Sequence, residues 1–318
     1  MTAATNPYAQ GLAYVDGQIC ALADARIPLA EAGFTRSDAT YDVVGVWNGK
    51  FFRLDEHLAR FERSRGLLHL EPPEDTADIR RILMDLVGRS GLRDSYVEMI
   101  ATRGMPLSAS RDPRQYANRF YALACPYIWI FTPEVQERGV RAVVTSVLRT
   151  PPAAFDPTIK NFQWGDLTRG LWEAVESGAE AGILVDRDGN VTEGAGYNVF
   201  AILDGVALTP DTGTLLGITR RTVLELAAEL GIPAKVAPLP AERLREAGEV
   251  FFTSTAGGVM PVGTLDGRPL ASCRPGSRTR QLKQAYWAAH DRPGWTTEVA
   301  YEQGARSSRH RLGPHDLA

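Results

Sequence analysis

Four two-residue turn signals, each set between short β-type runs, limit what this chain can fold into. They are Asp16-Gly17 between Tyr14-Val15 and Gln18-Ile19, and Asn48-Gly49 between Val46-Trp47 and Lys50-Phe51-Phe52. Further along come Asp188-Gly189 between Ile183-Leu184-Val185 and Asn190-Val191, and Asp204-Gly205 between Ala201-Ile202-Leu203 and Val206-Ala207-Leu208. Asp-Gly and Asn-Gly reach the positive φ angles that tight antiparallel hairpins require. A parallel sheet needs long crossovers in place of such turns, so a doubly wound sheet is disfavoured. The expected class is α+β, with antiparallel sheets and helices.

Apolar spacing places the helices. Leu54, Leu58 and Phe61 share one face of a helix running from Asp55 to Ser64, and Ile79, Ile82, Leu83 and Leu86 mark a second after Pro72-Pro73. Val223, Leu226, Ala227 and Leu230 mark a third, stopped by Gly231 and Pro233. A fourth runs from Ser277 to His290, with Leu282, Ala285, Tyr286 and Ala289 on one side. The aromatic run 127–131, followed by Thr132-Pro133-Glu134, marks the expected boundary between a smaller N-terminal domain (1–133) and a larger C-terminal one (134–301). The polar Arg/Ser/Gly-rich stretch 302–318 is aperiodic and reads as a disordered tail. No internal repeat is visible.

Composition narrows the function classes. At 318 residues and 44% hydrophobic content, the chain can bury one large core or two ordinary ones. A formal charge of −3 gives no global attraction to nucleic acid or anionic membrane. No run approaches the roughly 18 apolar residues needed to cross a bilayer, and the N-terminus lacks the basic-then-apolar order of a secretory signal. Cys20, Cys125 and Cys273 are odd in number and scattered, which fits reduced thiols and a cytoplasmic protein better than a disulfide framework. His57 and His69 stand apart and His310 and His315 lie in the tail, so no metal site is expected. There is no Gly-x-Ser-x-Gly elbow.

Lys160 carries the chemistry. It is one of four lysines in a chain otherwise rich in arginine, and it lies among Phe155, Ile159, Phe162 and Trp164. A lysine is ordinarily a solvated surface group. In a partly apolar setting its amine loses the proton more easily and can attack an aldehyde to form a Schiff base. Glu193 ends a strand and enters the turn Gly194-Ala195-Gly196, where backbone can approach a ligand closely. A carboxylate against a pyridine nitrogen keeps that nitrogen protonated, and the ring then accepts electrons. The bland alternative for Glu193 is a charged hairpin end. The glycine pair is not a dinucleotide fingerprint, because it runs into a strand and lacks the third glycine.

Two loops suit a phosphate. Gly217-Ile218-Thr219 opens the third helix, whose free N–H groups and dipole attract an anion. The dipole supplies on the order of 0.3–1 kcal/mol, so it needs help. Thr255, in Ser254-Thr255-Ala256-Gly257-Gly258, offers a hydroxyl, and Arg60, expected on the exposed side of the first helix, offers a bidentate charge. Singly these are an N-cap, a turn threonine and a surface arginine. Together with Lys160 and Glu193 they are the parts that hold pyridoxal phosphate.

These residues resemble the fold-type IV pyridoxal-phosphate enzymes, the D-amino-acid aminotransferase-like class that includes branched-chain aminotransferases, D-amino-acid transaminases and aminodeoxychorismate lyases. The likeness runs from Tyr14 to Val262 and rests on His57-Leu58-Ala59-Arg60, the Lys160 segment, Glu193-Gly194, Gly217-Ile218-Thr219 and Ser254-Thr255-Ala256. It implies two α/β-type domains with pyridoxal 5'-phosphate between them, in a homodimer whose interface completes each active site. By that resemblance Lys160 forms the Schiff base, Glu193 meets the pyridine nitrogen, and Arg60, Ile218, Thr219 and Thr255 hold the phosphate.

Within the class, branched-chain enzymes carry Tyr-x-Arg where this chain reads Tyr96-Val97-Glu98. The runs 40–47 and 160–166, with the Tyr96/Glu98 pair, are similar to the (R)-selective amine transaminases. That likeness implies a substrate pocket lined by Tyr41, Tyr96 and Trp164, with Glu98 at its wall and Ala256 in contact with substrate. It also implies a loop arginine for the keto-acid carboxylate, Arg111 or Arg114, and it sets Arg36 where relatives carry histidine. The implied activity is transfer of an amino group from an (R)-amine or a D-amino acid to a keto acid such as pyruvate. Branched-chain transamination, an aminodeoxychorismate lyase-type reaction and a non-catalytic pyridoxal-phosphate carrier remain the alternatives.

Overall fold

A computed structural model describes residues 6–270 and 276–301. The expected disordered tail, 302–318, lies outside the described residues, together with His310 and His315. In chain order the strands and helices are β1 (Leu12–Val15), β2 (Gln18–Ala21), α1 (Ala32–Arg36), β3 (Ala39–Trp47), β4 (Lys50–Phe52), α2 (Leu54–Leu67), α3 (Thr76–Ser90), β5 (Ser95–Pro106) and β6 (Tyr116–Pro126). They continue with α4 (Pro133–Arg138), β7 (Val140–Leu148), α5 (Gly165–Glu176), β8 (Ala181–Val185), β9 (Val191–Gly194), β10 (Tyr197–Leu203), β11 (Val206–Thr209), α6 (Ile218–Glu229) and β12 (Ala234–Val236). The last are α7 (Ala241–Arg245), β13 (Glu249–Ser254), β14 (Gly258–Leu265), β15 (Arg268–Pro269), α8 (Ser277–Ala288) and β16 (Thr296–Glu298).

The described residues divide into two compact units, one of 6–128, Ile159–Phe162 and 290–301, the other of Trp129–Thr158 and Gln163–Ala289. The first holds a seven-stranded sheet in the order β16-β4-β3-β5-β6-β1-β2, with every ladder antiparallel. Asp16-Gly17 and Asn48-Gly49 both take positive φ at their two positions, the geometry that matches strand twist in a two-residue hairpin. Helices α2 and α3 bring Leu54, Leu58, Phe61, Ile79, Leu83 and Leu86 against Val44, Val97, Met99 and Ala101, which form the core of this unit.

The second unit holds nine strands in the order β12-β11-β10-β13-β14-β7-β8-β9, with β15 on β14. Since β9 also pairs with β10, the six strands from β10 round to β9 close on themselves. The ring holds parallel as well as antiparallel ladders, since β7 runs parallel to both β8 and β14; outside the ring, β11 runs parallel to β12. The helical crossovers α5 and α6 are what permit two of those parallel pairings. The interior carries Val140, Ile183, Tyr197, Val199, Phe252, Met260 and Val262. Asp204-Gly205 is a tight turn of the expected kind, and Asp266-Gly267 forms another that the sequence reading did not single out. At Asp188-Gly189 only the glycine is at positive φ, because the Asp186 carboxylate braces the turn by accepting the Asp188 and Asn190 N–H groups at 2.9 Å.

Two helix expectations are corrected. Arg60, expected on the exposed side of α2, is 9% exposed, since Asp42 on β3 draws its guanidinium inward. Leu230, counted with the apolar face of α6, is the C-cap residue and lies 46% exposed, whereas Val223, Leu226 and Ala227 are buried as expected.

Candidate active site

In the first unit, the β3–β5 register opposes Tyr41 to Ile100, Val43 to Glu98 and Gly45 to Tyr96. Side chains alternate along strands, so Tyr41, Glu98 and Tyr96 share the face turned away from Val44, Val97 and the core. The segment Ile159–Phe162 belongs to this unit because β3 captures it. The Lys160 carbonyl accepts from the Thr40 hydroxyl at 2.6 Å and from the Tyr41 N–H at 3.0 Å, and the Asn161 amide donates to the Ile159 carbonyl at 2.8 Å. The Lys160 Nζ then lies 4.2 Å from the Tyr41 ring centroid, and Phe162 stacks on the same ring at 4.7 Å. Among the described residues this amine has no ion-pair partner within 4 Å, so the aromatic face is its closest stabilising contact. Burial pushes Glu98 up to about 7 against the lowering pull of the Lys160 charge, with the Asp42 carboxylate adding to the rise. The Tyr96 phenol is raised too, by burial first and by Glu98 second.

Arg60 reaches the opposite side of β3. Its Nε and Nη2 donate to the two Asp42 oxygens at 2.7 and 2.8 Å, a fork that fixes the guanidinium plane. His57 Nδ1 meets the same carboxylate at 2.8 Å, and the Val43 N–H donates to it at 2.7 Å. Burial alone would raise the Asp42 carboxyl, but Arg60 and His57 hold it well below the usual carboxylate range. Burial lowers the His57 imidazole, opposed by the Asp42 carboxylate beside it. Neither Asp42 nor His57 was singled out as a site group from sequence. His57 sits one turn before Arg60, and that spacing was the available signal.

The two loop arginines differ. Arg114 is exposed and paired with Asp112 at 2.6 Å, while Arg111, also exposed, has no ion pair among the described residues. Arg36 donates to the Tyr116 hydroxyl at 2.7 Å at the base of that loop.

In the second unit Glu193 is 6% exposed at the end of β9. Its Oε1 accepts from Arg149 Nε at 3.2 Å and Nη2 at 3.0 Å; its Oε2 accepts from the Leu215 N–H at 3.0 Å and the Thr214 hydroxyl at 3.3 Å. Arg149 Nη1 also donates to Asp166 at 2.7 Å. Burial would lower the Arg149 guanidinium, but Glu193 and Asp166 together raise it. Arg149, Thr214 and Leu215 carry no motif, so sequence reading missed them; Asp166 lay inside the Lys160 segment without an assigned role. Gly196 takes φ +89°, the left-handed region that favours glycine, and a Cβ there would make only ordinary van der Waals contact with the Trp164 ring, at 3.7 Å.

Helix α6 begins after Gly217, whose position carries no side-chain cap, so the first N–H groups, from Ile218 onward, receive no capping side chain from that position. Ile218 and Thr219 are both buried. Thr255 lies half-buried in the turn after β13, and Ala256 is buried, its carbonyl accepting from the Ile130 N–H at 2.9 Å. On β13 the buried Thr253 hydroxyl has no hydrogen-bond partner among the described residues. No group of three or more His, Cys, Asp or Glu among the described residues is placed to hold a metal ion. None of the described helices is long and apolar enough to cross a membrane.

Comparison with known proteins gives the chain its family. D-alanine aminotransferase of Bacillus licheniformis is 30% identical over 278 residues, spanning 85% of this chain and 94% of that one. The branched-chain-amino-acid aminotransferase of Escherichia coli (strain K12) is 30% identical over 258 residues, spanning 78% and 83%. The crystal structure of a T.th. branched-chain amino acid aminotransferase with pyridoxamine 5'-phosphate matches with a TM-score of 0.84 at 27% identity, covering 91% of this chain and 99% of that one. Residues 39–265, which take in Lys160, Glu193, the α6 N-terminus and Thr255, match the family Amino-transferase class IV, and the chain belongs to that family of fold-type IV aminotransferases.

Proposed function

We propose that this pyridoxal 5'-phosphate-dependent aminotransferase moves an amino group from an (R)-amine or a D-amino acid to a keto acid such as pyruvate. The residues fit the cofactor. The α6 N-terminus carries no side-chain cap from Gly217, Thr253 leaves a buried hydroxyl unpartnered among the described residues, and Arg149 donates to Glu193 Oε1 at 3.0 Å. Ile218, Thr219, Thr255 and Arg60 would hold the phosphate and Glu193 the ring nitrogen. When bound, the ring accepts the electron pair left on the substrate carbon once its proton departs. Lys160 Nζ is the base that takes that proton and returns it. Its tether, two hydrogen bonds to its own carbonyl, fixes the backbone and leaves the amine free to swing.

Glu98 carries the substrate reading. It shares a sheet face with Tyr41, the ring over which the Lys160 amine sits, so a substrate carboxylate on that face would meet another carboxylate. An amine lacking a carboxylate avoids that repulsion. Arg111, free of Asp112, is the group available to a keto-acid carboxylate, and the resemblance to amine transaminases implies Trp164, Tyr96 and Ala256 as substrate contacts. The preference for the (R) hand rests on the likeness of the 40–47 and 160–166 runs to (R)-selective amine transaminases. A homodimer belongs to this reading, supported by Leu171, Trp172 and Val175 exposed along α5. So does a cytoplasmic setting, supported by the free thiols Cys20 and Cys125.

Pyruvate consumption measured in parallel with (R)-1-phenylethylamine, its (S) enantiomer, D-alanine and L-leucine tests the reading. The (R)-amine and D-alanine should support turnover and the other two should not. Preference for L-leucine overturns the substrate class, and product formation without any keto acid overturns amino transfer in favour of a lyase.

A further inference from the structure

Between β11 and α6 the chain crosses from Pro210 to Gly217 without regular structure, yet it is fastened at both ends. At its start the buried Arg220 donates through Nε to the Thr209 hydroxyl at 3.1 Å and through Nη2 to the Pro210 carbonyl at 2.7 Å. Thr209 in turn donates to the Val199 carbonyl at 2.8 Å. Arg220 makes no ion pair among the described residues, an unusual state for a guanidinium 6% exposed. Burial lowers its pKa, opposed by the charges of Asp211 and Glu193.

At the far end Asn198 on β10, 4% exposed, spends its amide N–H groups on the strap. Nδ2 donates to the Thr214 hydroxyl at 2.8 Å and to the Leu215 carbonyl at 2.9 Å. The Thr214 hydroxyl donates its own hydrogen bond to Glu193 Oε2 at 3.3 Å, and the Leu215 N–H donates to the same oxygen. The donor directions therefore form one relay, Asn198 to Thr214 to Glu193. Asn198 and Glu193 are opposed in the β9–β10 ladder, so their side chains leave the sheet on one side. On its other edge the Asn198 carbonyl oxygen abuts Gly217, where a Cβ would lie 2.1 Å away. Gly217 is the residue immediately before α6.

We propose that Asn198 is a positioning residue that locks the 210–217 strap, so that the Glu193 carboxylate and the α6 N-terminus form one rigid receptor for a ligand carrying a protonated ring nitrogen and a phosphate. This rests on the pyridoxal-phosphate reading above. One amide fixes both contact points at once: its nitrogen orients Glu193 through Thr214, and its oxygen limits how Gly217 can enter the helix. A small shift of either would cost affinity at both ends of the ligand.

The test uses the full chain stripped of cofactor and titrated with pyridoxal 5'-phosphate. Asn198→Ala and Thr214→Val should each weaken binding about tenfold, the loss expected from one buried hydrogen bond. In both, the pH at which the bound cofactor's visible absorption changes should rise, because a displaced Glu193 leaves the ring nitrogen less protonated. Thr214→Ser keeps the hydroxyl and should restore both values. The Asn198→Ala/Thr214→Val double variant should bind no worse than the weaker single variant, since both break one relay. Wild-type affinity and absorption pH in Thr214→Val, or losses that multiply in the double variant, overturn the proposal even if Asn198→Ala fails to fold. A wild-type chain that binds no pyridoxal phosphate sinks the cofactor reading instead.

Discussion

Glu193 and Lys160, the two charged groups on which the proposed chemistry turns, are held in opposite ways. Glu193 accepts hydrogen bonds from Arg149, Thr214 and Leu215, and Arg149 is itself tied to Asp166. The Lys160 amine meets an aromatic face and the field of a buried acid, while only its backbone carbonyl is tied down. The difference follows from the work each group would do. A carboxylate that stabilises charge acts best when it need not reorganise, because reorientation costs free energy at the moment of reaction. A base that carries a proton between two atoms must move, and hydrogen bonds to its nitrogen would each have to break first.

Replacing the mobile group should have the largest effect. Lys160→Ala should lower steady turnover by at least about 10²–10⁴-fold, the usual contribution of a positioned proton carrier, with partial return on adding a small primary amine. Wild-type turnover without added amine would break the comparison outright. Glu193→Gln should lower turnover by about tenfold to a hundredfold with cofactor still bound, since a charge-assisted hydrogen bond becomes a neutral one. Unchanged turnover at saturating cofactor would mean that the network around Glu193 serves the fold alone.

The same contrast explains what the sequence disclosed. Asp16-Gly17, Asn48-Gly49 and Asp204-Gly205 were legible because two local residues decide the turn. So were Lys160, Glu193 and Gly217-Ile218-Thr219 as chemical types beside flexible backbone. The closed ring of six strands was not legible, since it depends on β9 reaching β10 and on parallel ladders made by crossovers. Arg60 was misread as exposed because its partner, Asp42, is eighteen residues away on another element, and helical periodicity carries no record of it. Arg149 went unnoticed for the same reason: its importance lies in Glu193 and Asp166, both remote in the chain.

Glu98 offers the smallest expected effect and the sharpest discrimination. With its carboxyl pushed up to about 7, it is neutral at lower pH and ionised above. Ionisation puts a negative charge on the same sheet face as Tyr41, which disfavours a donor bearing its own carboxylate and favours a bare ammonium. The ratio of kcat/KM for D-alanine to that for (R)-1-phenylethylamine should therefore fall several-fold between about pH 6 and about pH 8. Taking the ratio cancels most titration common to both reactions. In Glu98→Gln the ratio should stay level over the same range and sit near the wild-type value at the acidic end, because the amide mimics the neutral acid. A variant that keeps the wild-type slope would assign the titration to another group and remove the carboxylate-against-carboxylate argument for an amine donor. Lys160 and Glu193 would keep their roles, since neither depends on which donor approaches.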